Sequence, residues 1–153
     1  MSLDSLVTTI HVLGGATFAV TATLMQTVVG PAMARIPAGA PKAEAAGVIQ
    51  SRARLAMDII IVIQSVTAVY LLFTRWEMIS ASGWLMAKIT FGAVALTMAL
   101  LLHFYWRGKK ARLKAAGETV RFEALSSWTL KMEKVVLVAA PAAFIMGVIL
   151  GHF

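Results

Sequence analysis

Four long stretches of apolar residues alternate with shorter polar stretches along the 153 residues of this chain. The apolar stretches lie at about residues 6–33, 54–75, 84–106 and 133–152. With a helical rise of about 1.5 Å per residue, each stretch is long enough to cross a hydrocarbon core roughly 30 Å thick. The pattern therefore predicts an all-α protein, a four-transmembrane-helix bundle that forms a single integral membrane domain over residues 1–153.

Proline residues predict where several of these helices begin, bend or end. Pro31 directly follows Gly30 and is expected to end or kink the first helix. Pro41 follows a turn-forming segment, so it is well placed to begin a helix that continues through the second span. The third helix is expected to run from Trp84 to about Lys114, with the basic segment GKKARLKAA as its extension and Gly117 as its stop.

The composition agrees with a membrane protein and excludes several kinds of chemistry. Hydrophobic residues make up 59% of the chain, and the mean hydropathy of +0.82 is too high for an ordinary soluble domain. The chain has no cysteine, which excludes disulfides, thiolate metal sites and cysteine nucleophiles. The net charge of +7 favours contact with anionic lipid head groups and no binding of nucleic acid.

The positions of the basic residues predict the orientation of the chain in the membrane. Twelve of the fourteen Lys and Arg residues lie in two stretches, one between spans one and two and one between spans three and four. Because Lys and Arg resist translocation, both stretches should be cytoplasmic, which gives an N-out/C-out protein of the bacterial inner membrane. Tryptophans at both interfaces agree with this orientation: Trp76 and Trp84 outside, Trp106 and Trp128 inside.

A few ionisable residues lie within the predicted spans, where such residues are costly and commonly functional. His11 belongs to the outer part of span one, Lys88 to the outer end of span three, and Asp58 to the inner end of span two. His103 lies near the inner end of span three, and His152 is the penultimate residue of the chain. The three histidines are the candidate metal ligands. Lys88 and His103 are separated by roughly 22 Å along one helix, so they cannot share one small ligand site.

Haem b is the cofactor that best fits this set of residues. A four-helix bundle can hold the macrocycle, and His11 can supply an axial imidazole ligand. Gly14 and Gly15 follow His11 and leave space for a porphyrin ring, while Arg75 or Lys88 can supply cations for its propionates. The simpler interpretation is that His11 is an interfacial residue and that Lys88 extends to the head groups. The nine methionines are scattered without an MxxM or MxM cluster, which favours packing over copper binding.

Two segments resemble the CopD/HemJ-type integral membrane proteins, a group that includes copper-resistance D-like domains and a haem-dependent protoporphyrinogen oxidase. The first is IHVLGGATFAV with its exit VVGPAMARIP, and the second is GWLMAKITFGAVALTMALLLHFYW. The resemblance implies a four-helix fold that binds haem. It also implies that His11 is the haem-linked histidine and that Lys88 is the essential, catalytic lysine.

These observations predict an inner-membrane protein that binds haem b or a related porphyrin and serves in redox chemistry or electron transfer. Oxidation of protoporphyrinogen IX is one form of that function. The expected partners are the lipid bilayer, a porphyrin or electron carrier, and either further copies of this chain or a larger membrane complex. One alternative is a non-catalytic small subunit of a respiratory or photosynthetic complex. A second alternative is a copper-transport component of the CopD type.

Overall fold

The computed structural model describes residues 2–149, and for residues 40, 41 and 50 it describes the backbone alone. All of the regular secondary structure in this range is helical, as the sequence predicts. In chain order, the elements are α1 (Leu3–Leu24), a first π-helical segment (Met25–Val29), α2 (Gly30–Arg35), α3 (Ala40–Thr74), α4 (Trp76–Ser80), α5 (Gly83–Leu100), a second π-helical segment (Leu101–Trp106), α6 (Arg107–Ala115) and α7 (Thr119–Ile149).

Four continuous helices are long and apolar enough to cross a membrane, which confirms the predicted number of spans. They are Leu3–Arg35, Lys42–Thr74, Gly83–Ala115 and Thr119–Ile149. A helix of this length measures about 50 Å, so each exceeds the hydrocarbon core and extends into the head-group layer or beyond. These four helices indicate a multi-pass membrane protein.

Large apolar side chains cover much of the outer surface of these helices. Phe73 is 81% exposed and Val138 is 68% exposed, and both lie within membrane-length helices. Apolar surface on this scale would be unfavourable in water, whereas lipid tails solvate it at no cost. The exposed surface therefore supports the membrane assignment independently of helix length.

The helices begin and end at residues that suit those positions. The Ser2 hydroxyl accepts a hydrogen bond from the backbone N–H of Ser5 at 3.2 Å, and α1 begins there. Ser82 caps α5 in the same way, through the N–H of Leu85 at 3.3 Å. Gly117 lies between α6 and α7 with a φ of 69°, a left-handed conformation that glycine adopts without steric strain.

The first helix passes through Pro31, so of the two outcomes predicted for this residue, a helix end or a kink, the helix end is wrong. The π-helical segment Met25–Val29 lies immediately before it, and the N–H of Gly30 bonds to the carbonyl of Met25, five residues back. The wider π turn changes the hydrogen-bond register where Pro31 has no N–H to donate. The helix consequently continues through α2 to Arg35.

The chain divides after Trp76 into two compact units. The first unit, which we call the first hairpin, contains α1 to α3, and its α1 packs against α3. The buried apolar residues of this unit are Phe18, Ala19, Ala22, Met57 and Ile61, and Ile61 is fully buried.

The second unit, which we call the second hairpin, begins at Glu77 and contains α4 to α7. In it α5 packs along α7, and α6 also contacts α7. Its buried core is Ile79, Leu85, Ala95, Ala99, Met132, Val136, Ala139 and Ala140. The alanines permit close approach of the two long helices, as small residues do in membrane proteins.

Candidate functional site

His11 is held by a hydrogen bond across the first hairpin. Its Nδ1 lies 2.9 Å from the hydroxyl of Thr67, and that hydroxyl donates its single proton to the carbonyl of Ile63 at 2.8 Å. A hydroxyl that donates to Ile63 accepts from Nδ1, and in that tautomer Nε2 of the neutral imidazole carries the lone pair that would coordinate a metal.

Gln64 forms a second link between the same helices, one turn along α3 from Thr67. Its side chain is 7% exposed, and its Nε2 donates to the backbone carbonyl of His11 at 2.8 Å. The carboxamide occupies the position that a Cβ on Gly14 would take, and its Oε1 would be 3.6 Å from a Cβ on Gly15. The two glycines after His11 therefore admit Gln64, so the space expected there for a porphyrin ring is filled on the Gly14 side.

Arg75 links the end of α3 to the start of α1. Its Nη2 donates to Asp4 Oδ2 at 2.5 Å and to the Thr8 hydroxyl at 2.7 Å. Thr8 donates its own proton to the carbonyl of Asp4 at 2.7 Å, which leaves its oxygen to accept from Arg75. Arg75 was expected to offer a cation to a propionate, and the structure pairs it with a carboxylate of this chain.

An open groove lies beside this ion pair, entirely within the first hairpin. Its volume is about 420 Å³, and it is lined by Ser5, Thr8, Thr9, Val12, Leu13 and Arg75. Hydroxyl groups and one guanidinium thus line part of the groove, and apolar side chains line the remainder. Such a lining suits a molecule with a polar end and an apolar body.

Lys88 belongs to the second hairpin and is half-buried on α5. Its ammonium lies against Gly147 of α7, where a Cβ would be 2.9 Å from Lys88 Nζ and 3.0 Å from Cε. The glycine therefore provides the space through which the lysine side chain crosses to the neighbouring helix.

The remaining candidate histidines lie elsewhere. His103 is half-buried within the second π-helical segment, a kind of helix irregularity that is frequent at functional sites. His152 lies outside the described residues. Within residues 2–149, no three His, Asp or Glu side chains come together as a group that could hold a metal ion.

Aromatic and basic side chains meet at the end of the second hairpin. The rings of Trp106 and Trp128 pack edge to face with centroids 4.9 Å apart, and Tyr105 packs against Trp106 at 4.7 Å. Lys109 Nζ lies 5.1 Å from the Trp106 ring centroid, within range of a cation–π interaction. The Trp106 indole nitrogen is buried and has no hydrogen-bond partner among the described residues.

Sequence reasoning missed the partners of His11 and Arg75. Thr67 is an ordinary threonine in an apolar helix, and Asp4 precedes the first apolar stretch. Both act on residues that are distant along the chain, and His11 and Thr67 are 56 positions apart. Only Gln64 carried a signal, as an amide inside a predicted span.

Comparison with known proteins identifies no relative of this chain. It matches no protein-family model, no curated protein and no solved structure. The resemblance to the CopD/HemJ-type proteins stays a prediction from the sequence.

Proposed function

We propose that this chain is a multi-pass protein of the bacterial inner membrane that binds haem b through His11 and serves in redox chemistry or electron transfer. The observation that carries the proposal is the hydrogen bond between His11 Nδ1 and Thr67. Metal-ligating histidines commonly donate their second ring N–H to a neighbouring acceptor, which fixes the tautomer and makes the ligating nitrogen more basic. With the proton on Nδ1, Nε2 would be the ring atom that holds the haem iron.

Each of the other residues has a role that follows from its contacts. Thr67 holds the imidazole ring, and Gln64 fixes the backbone of the turn that carries His11. His11 would hold the iron, and Gln64 already occupies the space beside Gly14, so that space would not hold the porphyrin. Haem b, when bound, supplies one-electron chemistry at the iron. We assign contact with a substrate or a haem propionate to Lys88. This role also applies if the function is oxidation of protoporphyrinogen IX.

The proposal includes the N-out/C-out orientation and a four-helix bundle as a single domain. The distribution of Lys and Arg supports the orientation, because the loop between spans two and three contributes only Arg75 to the basic residues. That arginine is also paired with Asp4, which reduces the net charge at this end of the first hairpin.

The test is the optical spectrum of the full-length protein purified from haem-replete cells. We expect a b-type haem signal in the reduced-minus-oxidised spectrum. The ratio of haem to protein should be the same in every preparation. His11→Ala should remove most of that signal, whereas the matched variant His103→Ala should keep it. The reverse pattern would move the ligand to His103. A folded preparation without haem would favour the small-subunit alternative, and copper in its place would favour the transport alternative.

A further inference from the structure

The most strongly basic helix of the chain continues directly from a membrane-length helix. From Trp84 to Trp106 the helix spans about 33 Å, which equals the thickness of a hydrocarbon core. Trp106 therefore lies at the level of the head groups, and α6 begins at the next residue. With Trp84 at one interface, helix length places the start of α6 at the other, whichever way the chain is inserted.

Positive charge is concentrated in this short helix. α6 has the sequence RGKKARLKA, with five Lys or Arg residues and no acidic residue in nine positions. The surrounding stretch from residue 107 to residue 134 contains eight Lys and Arg residues and three Glu residues. One of the glutamates, Glu118, is paired with Arg121 at 2.8 Å. The stretch therefore keeps an excess of five positive charges over its carboxylates.

Three exposed residues, one near the end of the second π-helical segment and two on α6, form a stripe that combines these charges with an aromatic ring. Tyr105, Lys109 and Arg112 are all exposed, and their spacing of four and then three residues places them on one face of a helix. Lys109 is already held over the ring of Trp106, so ordering its ammonium around an anion costs less side-chain entropy. Trp106 is in turn fixed by its contact with Trp128.

We propose that this stripe binds the phosphate of an anionic phospholipid. Lys109 and Arg112 contact the phosphate, and the exposed ring of Tyr105 lies against the lipid where the head group meets the acyl chains. A lipid is favoured over a nucleic acid because the stripe is continuous with the aromatic residues of the membrane interface, where anionic lipid is already concentrated. The inference requires only that the chain spans a membrane and is independent of haem.

The experiment compares lipid retention by full-length protein in nanodiscs of phosphatidylglycerol and phosphatidylcholine in equal parts. Released protein is analysed by native mass spectrometry for the lipids that stay bound. Lys109→Gln/Arg112→Gln is compared with Arg52→Gln/Arg54→Gln, which removes the same charge from exposed positions of α3. Two cations near an anionic surface contribute roughly 25-fold through nonspecific attraction, so direct contact with the phosphate should make the loss of phosphatidylglycerol retention in the α6 pair greater than about 25-fold.

The α3 pair should lose no more than this nonspecific share of retention. Equal losses in both pairs would show that net charge alone attracts lipid, and equal retention of the two lipids by the unaltered protein would show no selectivity. Either result would overturn the proposal. If millimolar inorganic phosphate displaced the bound phosphatidylglycerol, the stripe would be a site for a small anion. If a short DNA duplex displaced it, the stripe would be a site for nucleic acid.

Discussion

The ammonium group of Lys88 lies against Gly147, at the position where any side chain on residue 147 would begin. Gly147 is itself buried between α5 and α7, so the glycine and the lysine occupy one packed site. The contact gives a structural reason for glycine at this position beyond close helix approach. Because Gly147 and Lys88 can each be substituted alone, the effect of moving the ammonium can be measured separately from the effect of removing its charge.

Gly147→Ala should impair cofactor retention as Lys88→Ala does, with little effect on thermal stability. The new methyl would be 2.9 Å from Nζ and 3.0 Å from Cε, and the flexible end of the lysine can move away at low cost. Gly92→Ala is the matched control, because its Cβ would meet only the Ala143 methyl at 3.9 Å. Haem content per protein and the midpoint of thermal unfolding are the two measurements.

Lys88→Arg should also impair cofactor retention. The guanidinium is wider and planar, so it does not fit the gap that the ammonium uses beside Gly147. Membrane insertion and abundance should change little, because both residues keep one positive charge. If Lys88→Arg bound haem as the unaltered protein does, the lysine would be an interfacial anchor without a role in a pocket.

Gly14→Ala should destabilise the first hairpin by about 1 kcal/mol, a typical value for a hydrogen bond between helices in a membrane. The methyl would displace the Gln64 carboxamide and break its bond to the carbonyl of His11. Gly15→Ala is the control, since its Cβ would be at ordinary contact distance from Gln64. Thermal unfolding in detergent measures both. In a Gln64→Ala background the cost of Gly14→Ala should disappear, and an unchanged cost there would place its origin outside this contact.

Thr67→Val should weaken haem binding while preserving the shape of the side chain. Valine cannot accept the Nδ1 proton of His11, so the ring loses the contact that fixes its tautomer. In Thr67→Val we expect a shifted haem midpoint potential and faster haem loss. In Thr67→Ser both properties should match those of the unaltered protein. Thr17→Val is the matched control, because that exposed hydroxyl donates only to the carbonyl of Leu13. Equal effects of the two valine variants would reduce Thr67 to a packing residue.

A reporter that is active only outside the cytoplasm should be active when it is fused to either terminus. The expectation follows from the twelve Lys and Arg residues in the two stretches that join spans one to two and three to four. A fusion inserted in the loop after Thr74 should give the same result, and one inserted after Gly117 should give the opposite one. Inactive fusions at both termini would reverse the orientation and move His11 to the inner half of the membrane.

The amino-acid sequence by itself determined the four membrane-length helices and several of their boundaries. Hydropathy and helix length are local properties, so the continuous helix Gly83–Ala115 and the helix start at Ala40, beside Pro41, could be predicted without tertiary contacts. The passage of the first helix through Pro31 could not, because it depends on a change of hydrogen-bond register at Met25–Val29. Propensity rules treat proline as a break and do not anticipate a compensating π turn.

Only the tertiary structure decided which residues meet. Two packed helices bring residues together according to their rotation and axial register, and neither quantity is encoded in the spacing along one helix. Three contacts arise in this way: the hydrogen bond between His11 and Thr67, the packing of Gln64 against Gly14, and the packing of Lys88 against Gly147. The sequence could therefore identify His11 and Lys88 as unusual, whereas their partners are ordinary residues that become significant through packing.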